Sequence, residues 1–356
     1  MTKRTTSSSR TSHVLLAGAA AASALLLPRN NRWRWAFAAA AGWQFVEALR
    51  NKPKRHLLNP DPHAAPELVR AAHINGMQMR WEEHGEPNAE HTVVLVHGLP
   101  TNPRLWRYVI PEVVRPGVRC LAWEMVGYGW SMQAGLGRNI SVARQAEYLY
   151  LWLQHEQITK AVFVGHDLGG GVVQRMATLY PEVCAGIVLA DCVAYDNWPV
   201  PPILAAQKSS GLIEKMPPVI VKGWLRKAIL ALGDKHEWRR QESARLHAQP
   251  YGQPFGPAAF ADQVRSVNNL DTLNIASDLP QVTVPARVVW GQKDILSPDS
   301  GQRLATDLKT DFTCIPGARH FTPEDHPDVV AQAINAVLAE TTTHAPVTAP
   351  VTYRAF

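Results

Sequence analysis

Short β-forming runs alternate with segments of helical period through most of this chain, and few architectures accept that pattern. Thr92–Val96, Arg119–Trp123, Ala161–Gly165, Ala185–Ala190, Ala286–Trp290 and Phe312–Pro316 read as strands. Ser141–Gln157, Gly171–Tyr180, Gly301–Leu308 and Asp328–Glu340 read as helices. Strands joined through helices pair in parallel, and a sheet covered on both faces has strands that are apolar throughout. The expectation is an α/β fold with a mostly parallel sheet flanked by helices. Ahead of it, Ala71–Ile74, the pair Asn75-Gly76 and Met77–Glu83 spell a hairpin with a type I′ turn.

The ends of the chain differ from its middle. Residues 1–55 carry ten Lys or Arg and one acid, Glu47, so the formal charge of +6 belongs to this segment and the remainder is slightly acidic. The basicity therefore argues against a nucleic-acid surface on the folded part. Within the segment lie two apolar runs, Val14–Leu27 and Trp35–Val46. The first spans roughly 21 Å as a helix, short of the ~30 Å hydrocarbon layer. Three readings stand: membrane association through residues 14–46 as an interfacial anchor, a cleaved export signal, or an organellar transit segment. The first is preferred, with the catalytic domain facing the cytoplasm. Residues 56–69 read as a Pro-rich linker and 342–356 as a polar tail. The core then covers 70–192 and 281–341. Residues 193–280, rich in Pro and Trp and helix-like, break the alternation and read as a helical cap inserted after the sixth strand. Four cysteines, Cys120, Cys184, Cys192 and Cys314, form no CxxC or metal-ligand cluster and read as buried free thiols.

The sharpest chemical signal is Val164-Gly165-His166-Asp167-Leu168-Gly169-Gly170, which joins a strand to a helix. It has the G-x-nucleophile-x-G form of a strained elbow, with Asp167 at the nucleophile position. The turn is tight, so small residues must flank it. His97-Gly98-Leu99-Pro100 follows the Thr92–Val96 strand. Its loop is placed to offer the Leu99 backbone N–H, which with the N–H of Leu168 makes an oxyanion site. His97 itself reads as structural. Asp294 follows the Ala286–Trp290 strand and His320 follows the last strand, giving the chain order nucleophile, acid, histidine. His320 is the candidate general base, with His326 as fallback. Asp294 is the preferred orienting acid and Asp191, at the end of another strand, the alternative.

At these motifs the sequence resembles the α/β-hydrolase superfamily, and within it the Asp-nucleophile branch of epoxide hydrolases, haloalkane dehalogenases and β-lactone decarboxylases. HGLPTNPRLWR (97–107), GYGWS (127–131) and GHDLGG (165–170) are similar to that branch, over roughly residues 70–340. The resemblance implies an α/β-hydrolase fold and a hydrolase without metal or organic cofactor. A carboxylate displaces a leaving group at a saturated carbon, forming an alkyl ester of Asp167, and His320 activates the water that hydrolyses it.

The leaving group is less constrained. Haloalkane dehalogenases commonly hold the halide with a Trp after the nucleophile and an Asn at the third position of HGxP. This chain has Leu168 and Leu99 there, which donate no side-chain hydrogen bond. Trp198 or Trp224 would have to substitute. Epoxide hydrolases use two cap tyrosines to protonate the opening oxygen, and the cap offers Tyr195 and Tyr251. Tyr195 and Trp198 are taken as the substrate-facing candidates. An epoxide-hydrolase-like reaction leads, with haloalkane dehalogenation the alternative. A lactone- or ester-acting relative, or a non-catalytic ligand-binding protein of the same fold, stands behind them. The partner expected is a small apolar substrate; oligomeric state is left open.

Overall fold

The computed structural model describes residues 68–233 and 236–343. The chain divides into two units, Met1–Pro62 and His63–Phe356, and every described residue belongs to the second. The expectations for residues 1–55, for 14–46 in particular, and for nearly all of the linker and tail therefore lie outside the described residues. Among the described residues no helix is long and apolar enough to cross a membrane.

Eight strands form one sheet: β1 (Val69–Ile74), β2 (Met77–His84), β3 (His91–Val96), β4 (Val118–Glu124), β5 (Ala161–Asp167), β6 (Cys184–Cys192), β7 (Ala286–Gly291) and β8 (Phe312–Ile315). Their spatial order is β1-β2-β4-β3-β5-β6-β7-β8. β1 and β2 pair antiparallel, as does β2 with β4; every other pair is parallel. The hairpin turns at Asn75 and Gly76, both at positive φ (48° and 75°), as a type I′ turn requires.

Helices of eight or more residues among the described residues are α1 (Val142–His155), α2 (Leu168–Leu179), α3 (Pro201–Lys208), α4 (Pro218–Leu232), α5 (Glu237–Ala248), α6 (Gly256–Arg265), α7 (Pro298–Asp307) and α8 (Pro327–Thr343). Ser141 caps α1 by accepting a hydrogen bond from the Arg144 N–H, so that helix starts where its sequence says it should. Helix α2 starts at Leu168, three residues before the expected Gly171. Gly169 and Gly170 are poor helix formers, but here they are needed for close packing. A Cβ on Gly169 would stand 2.1 Å from the Val96 carbonyl oxygen, so only glycine lets α2 approach β3.

Alternation along each strand feeds two cores. In β5, Phe163 packs with Trp123, Trp152 and Val172 on one face. Val162 and Val164 pack with Leu95, Val188 and Ile334 on the other. Helices α3 to α6 all fall between β6 and β7, forming a helical insertion. One cysteine departs from expectation: Cys120, Cys184 and Cys192 are buried, but Cys314 is exposed. Strand β8 is the sheet edge and its Thr313 and Cys314 face solvent.

The order reverses between β3 and β5, since β4 and β3 are built to one side and β5 to β8 to the other. A crevice opens at such a reversal, outside the carboxyl ends of the strands. Val96 of β3 pairs with Gly165 of β5, so the His97–Pro100 loop and Asp167 leave the sheet side by side. The Gly169→Ala variant tests how closely this seam is built. It should lose roughly 3 kcal/mol of stability through overpacking, read as a lower urea midpoint at unchanged m-value.

Candidate active site

Asp167 is the last residue of β5 and the first position before α2, with φ 53° and ψ −124°. That conformation is unusual for a residue with a side chain, and it turns the carboxylate out of the sheet. The Leu99 N–H donates to Asp167 Oδ1 at 2.8 Å, and the backbone N–H of Leu168 also holds the carboxylate. Gly98 makes the approach feasible: a Cβ there would lie 2.2 Å from Oδ1.

The other carboxylate oxygen faces the imidazole. His320 Nε2 lies 3.7 Å from Asp167 Oδ2. On the far side of the ring, His320 Nδ1–H donates to Asp294 Oδ1 at 2.8 Å. Asp294 is oriented in turn by the Leu296 N–H, at 3.2 Å. Asp191 is close but otherwise engaged. Its Oδ1 accepts from the Gly291 N–H at 2.6 Å and its Oδ2 from the Thr322 hydroxyl. The structure thus brings Asp167, His320 and Asp294 together in line. It sets Asp191 behind them, pinning the start of the loop that carries Asp294.

Burial governs the proton affinities here. Burial pushes the Asp167 carboxyl up, and His320 and the Leu168 and Leu99 amides pull it back. Burial and the neighbouring Asp294 push Asp191 well above the carboxylate range. For His320 burial alone would lower the pKa. Asp294 above all, and then Asp167, outweigh it and lift the imidazole from 6.5 to about 9. His97 behaves as a structural residue. Its Nδ1–H donates to the Gly98 carbonyl at 3.0 Å and its Nε2 accepts from the Met125 N–H at 3.1 Å. Burial drives its pKa to about 3, so it stays neutral. His326 ends the short helix Thr322–Asp325, six residues beyond His320, which alone makes the contacts just described.

The two substrate-facing candidates do not present their donors to the site. The Tyr195 hydroxyl donates to Asp307 Oδ2 at 2.6 Å, with the Arg303 guanidinium over its ring. The Trp198 indole N–H donates to Thr272 Oγ1 at 2.8 Å. Both side chains are buried where the chain leaves β6, and they brace that crossing. Trp224 is half exposed on α4. The Tyr251 hydroxyl donates to Gln263 Oε1 at 2.8 Å, and Gln263 Nε2–H donates to the Gly127 carbonyl at 2.7 Å.

Two features escaped the sequence reading. The first is Tyr128, from the GYGWS segment. It is buried edge-on against His97, and its phenol feels the Asp167 charge. Burial and that charge raise its pKa, so it remains protonated. It also neighbours Tyr251 closely enough to raise that phenol's pKa. The second is an ion cluster. Arg107 pairs with Glu324, and with Glu242 of α5 at 3.1 Å; His247 of α5 meets Glu324 at 2.9 Å. Burial would raise Glu324, but Arg107 and His247 hold it near 2. The signal for Arg107 was in HGLPTNPRLWR. Nothing in the spacing pointed to Glu242 or His247.

Comparison with known proteins places the fold in a family. Residues 93–333 match the model of the alpha/beta hydrolase family. The chain belongs to that family. It is an α/β-fold hydrolase with dehalogenase and epoxide hydrolase relatives at low identity. It is 26% identical to haloalkane dehalogenase 2 of Mycobacterium tuberculosis over 254 residues, 68% of this chain and 86% of that protein. It is 32% identical to epoxide hydrolase A of the same organism over 142 residues, 40% of this chain and 44% of that protein. An alpha/beta hydrolase fold protein from Burkholderia ambifaria superposes with a TM-score of 0.68 at 23% identity, covering 75% of this chain and 97% of that one.

The His320–Asp294 pair makes a signed prediction. A raised imidazole pKa means that the charged pair stabilises the fold fully below 6.5 and loses that contribution as pH climbs through about 9. In Asp294→Asn the largest upward influence is gone. The His320 midpoint, read by NMR, should fall, and the loss of stability between those two pH values should flatten.

Proposed function

We propose that this hydrolase opens epoxides through a covalent ester on Asp167. The observation that carries the reading is the division of labour between the two oxygens of that carboxylate. Oδ1 rests on the Leu99 amide while Oδ2 faces the catalytic cleft beside His320. Oδ2 is the attacking atom, and Oδ1 already occupies the position where negative charge will build during ester hydrolysis.

The sequence of steps follows. Asp167 Oδ2 forms a bond to one ring carbon, and that carbon's bond to the epoxide oxygen breaks. The released alkoxide takes a proton from Tyr128, the phenol whose proton affinity the Asp167 charge raises. Esterification removes the Asp167 charge, and with it one of the influences that hold the His320 proton. The imidazole therefore becomes a stronger acid once the ester forms, gives its proton to the Tyr128 phenolate, and can act as base. It takes a proton from water as the water attacks the ester carbonyl. The Leu99 and Leu168 amides hold the tetrahedral oxyanion. Collapse expels the diol alkoxide, which takes the proton back from His320; the new Asp167 carboxylic acid, carrying one solvent oxygen, then gives its proton to the imidazole and restores the starting ion pair.

Haloalkane dehalogenation is the second reading, favoured by the longer match to a dehalogenase. It lacks an obvious halide clamp, because the Trp198 N–H is spent on Thr272 and Trp224 faces outward. The products separate the two readings, a diol in one case and free halide in the other.

His320→Gln should react once and stop, leaving an adduct on Asp167 visible by intact mass. In wild-type protein a single turnover in heavy-oxygen water should place the label on Asp167; label found only in the product would refute the ester. Tyr128→Phe should slow ester formation from epoxides by about 10²-fold, within the usual span for acid catalysis, while hydrolysis of a preformed ester is unchanged.

A further inference from the structure

Helix α4 carries the sequence PVIVKGWLRKAILAL and buries Val221, Leu225 and Ile229, spaced four apart on one face. An amphipathic helix should be polar on the other face. This one is not. Val219 is 57% exposed and Trp224 50% exposed, and Gly223, Ala228 and Ala231 lie open beside them. Seven residues before Val219, Leu212 is 63% exposed. Scattered exposed apolar residues are ordinary, but a helix apolar on both sides is normally covered on both.

The unpaired charges on α4 and on the segment that leads into it have one sign. Arg226 and Lys227 are exposed on α4, Lys208 is exposed at the end of α3, and Lys215 is exposed in the turn before α4. The acid in that stretch, Glu214, is paired with Arg265. A second copy seated on this face would bring like charges together, which disfavours it. A neutral apolar partner would leave the cations unused. An anionic bilayer uses both properties: its interface takes up Trp and aliphatic side chains, and its headgroups draw Lys and Arg.

We propose that the exposed face of α4, with Leu212, docks on an anionic lipid surface. The insertion that carries it also holds the loops around the active site, through His247 on Glu324 and Gln263 on Gly127. Docking here would bring the catalytic domain to a phase in which apolar substrates concentrate. The proposal stands apart from the reaction chemistry, since it concerns no residue of the site.

The test uses the full chain with Cys314→Ser, so that a nitroxide reports from Trp224→Cys alone, with Val219→Cys as a second position should the first fail to fold. Vesicles are phosphatidylcholine, with or without a third of phosphatidylglycerol. On anionic vesicles the label should gain oxygen contact and lose contact with a water-soluble nickel chelate; a label at Asp299→Cys should not. Arg226→Glu with Lys227→Glu should weaken the immersion of the label at least about 25-fold, near fivefold for each cation lost, and leave turnover of a water-soluble substrate unchanged. A label that stays in water while the chain sits on vesicles would overturn the proposal. So would immersion indifferent to lipid charge, or a label already immobile without lipid, which would mean that protein covers the face.

Discussion

A carboxylate taken out of water must be compensated where it stands, and the arrangement of strand ends in this protein answers that requirement for Asp167. Burial opposes its charge. Two backbone amides and one imidazolium restore it. Amides are suited to the task because they are fixed by the sheet and helix and need no reorganisation when charge moves from one oxygen to the other. Their placement depends on β3 and β5 being neighbours at the reversal of strand order. The topology sets those two loops side by side, and the strained backbone of Asp167 then aims its carboxylate between them.

The other carboxylates form a graded series around His320. Asp294 is in direct contact with the ring. Asp167 stands further off at 3.7 Å. Asp191 has its hydrogen bonds directed at Gly291 and Thr322, so its influence on the ring is through space. A charge that vanishes during the reaction can change the imidazole's proton affinity only if it is one of several holding it. Asp167 is such a charge, whereas Asp294 persists and keeps the ring oriented. The difference between the two roles lies in which oxygen faces which nitrogen.

Much of this was legible in the sequence because it rests on local constraints. Asp167 between small residues, Leu99 after a strand, and Asp294 and His320 after later strands all follow from where strands end. A strand end is visible as a change from apolar run to turn. Asp294 and Asp191 both sit at such positions, and spacing alone left both open; the hydrogen bonds to Gly291 and Thr322 separate them. Tyr195 and Trp198 fared worse. The pattern placed them at the mouth of the insertion, but which way a side chain points there depends on Asp307 and Thr272, residues far away in the chain. Helix α2 begins three residues before the expected Gly171, because the contact against Val96 demands glycine there, a requirement that local sequence does not reveal. Cys314 was placed inside for a related reason: strand character does not reveal that β8 is the sheet edge.

The ion cluster shows why long-range pairing matters to the chemistry. Glu324 follows His320 by four residues, on the short helix Thr322–Asp325. Its carboxylate is held ionised by Arg107, from the segment after β3, and met by His247 from the insertion. Two distant parts of the chain therefore converge on the segment that follows the base. Removing one partner of a buried pair leaves an uncompensated charge, a heavier cost than the pair's own net worth. The insertion is thereby tied to the segment that follows His320, through His247 on Glu324 and Glu242 on Arg107.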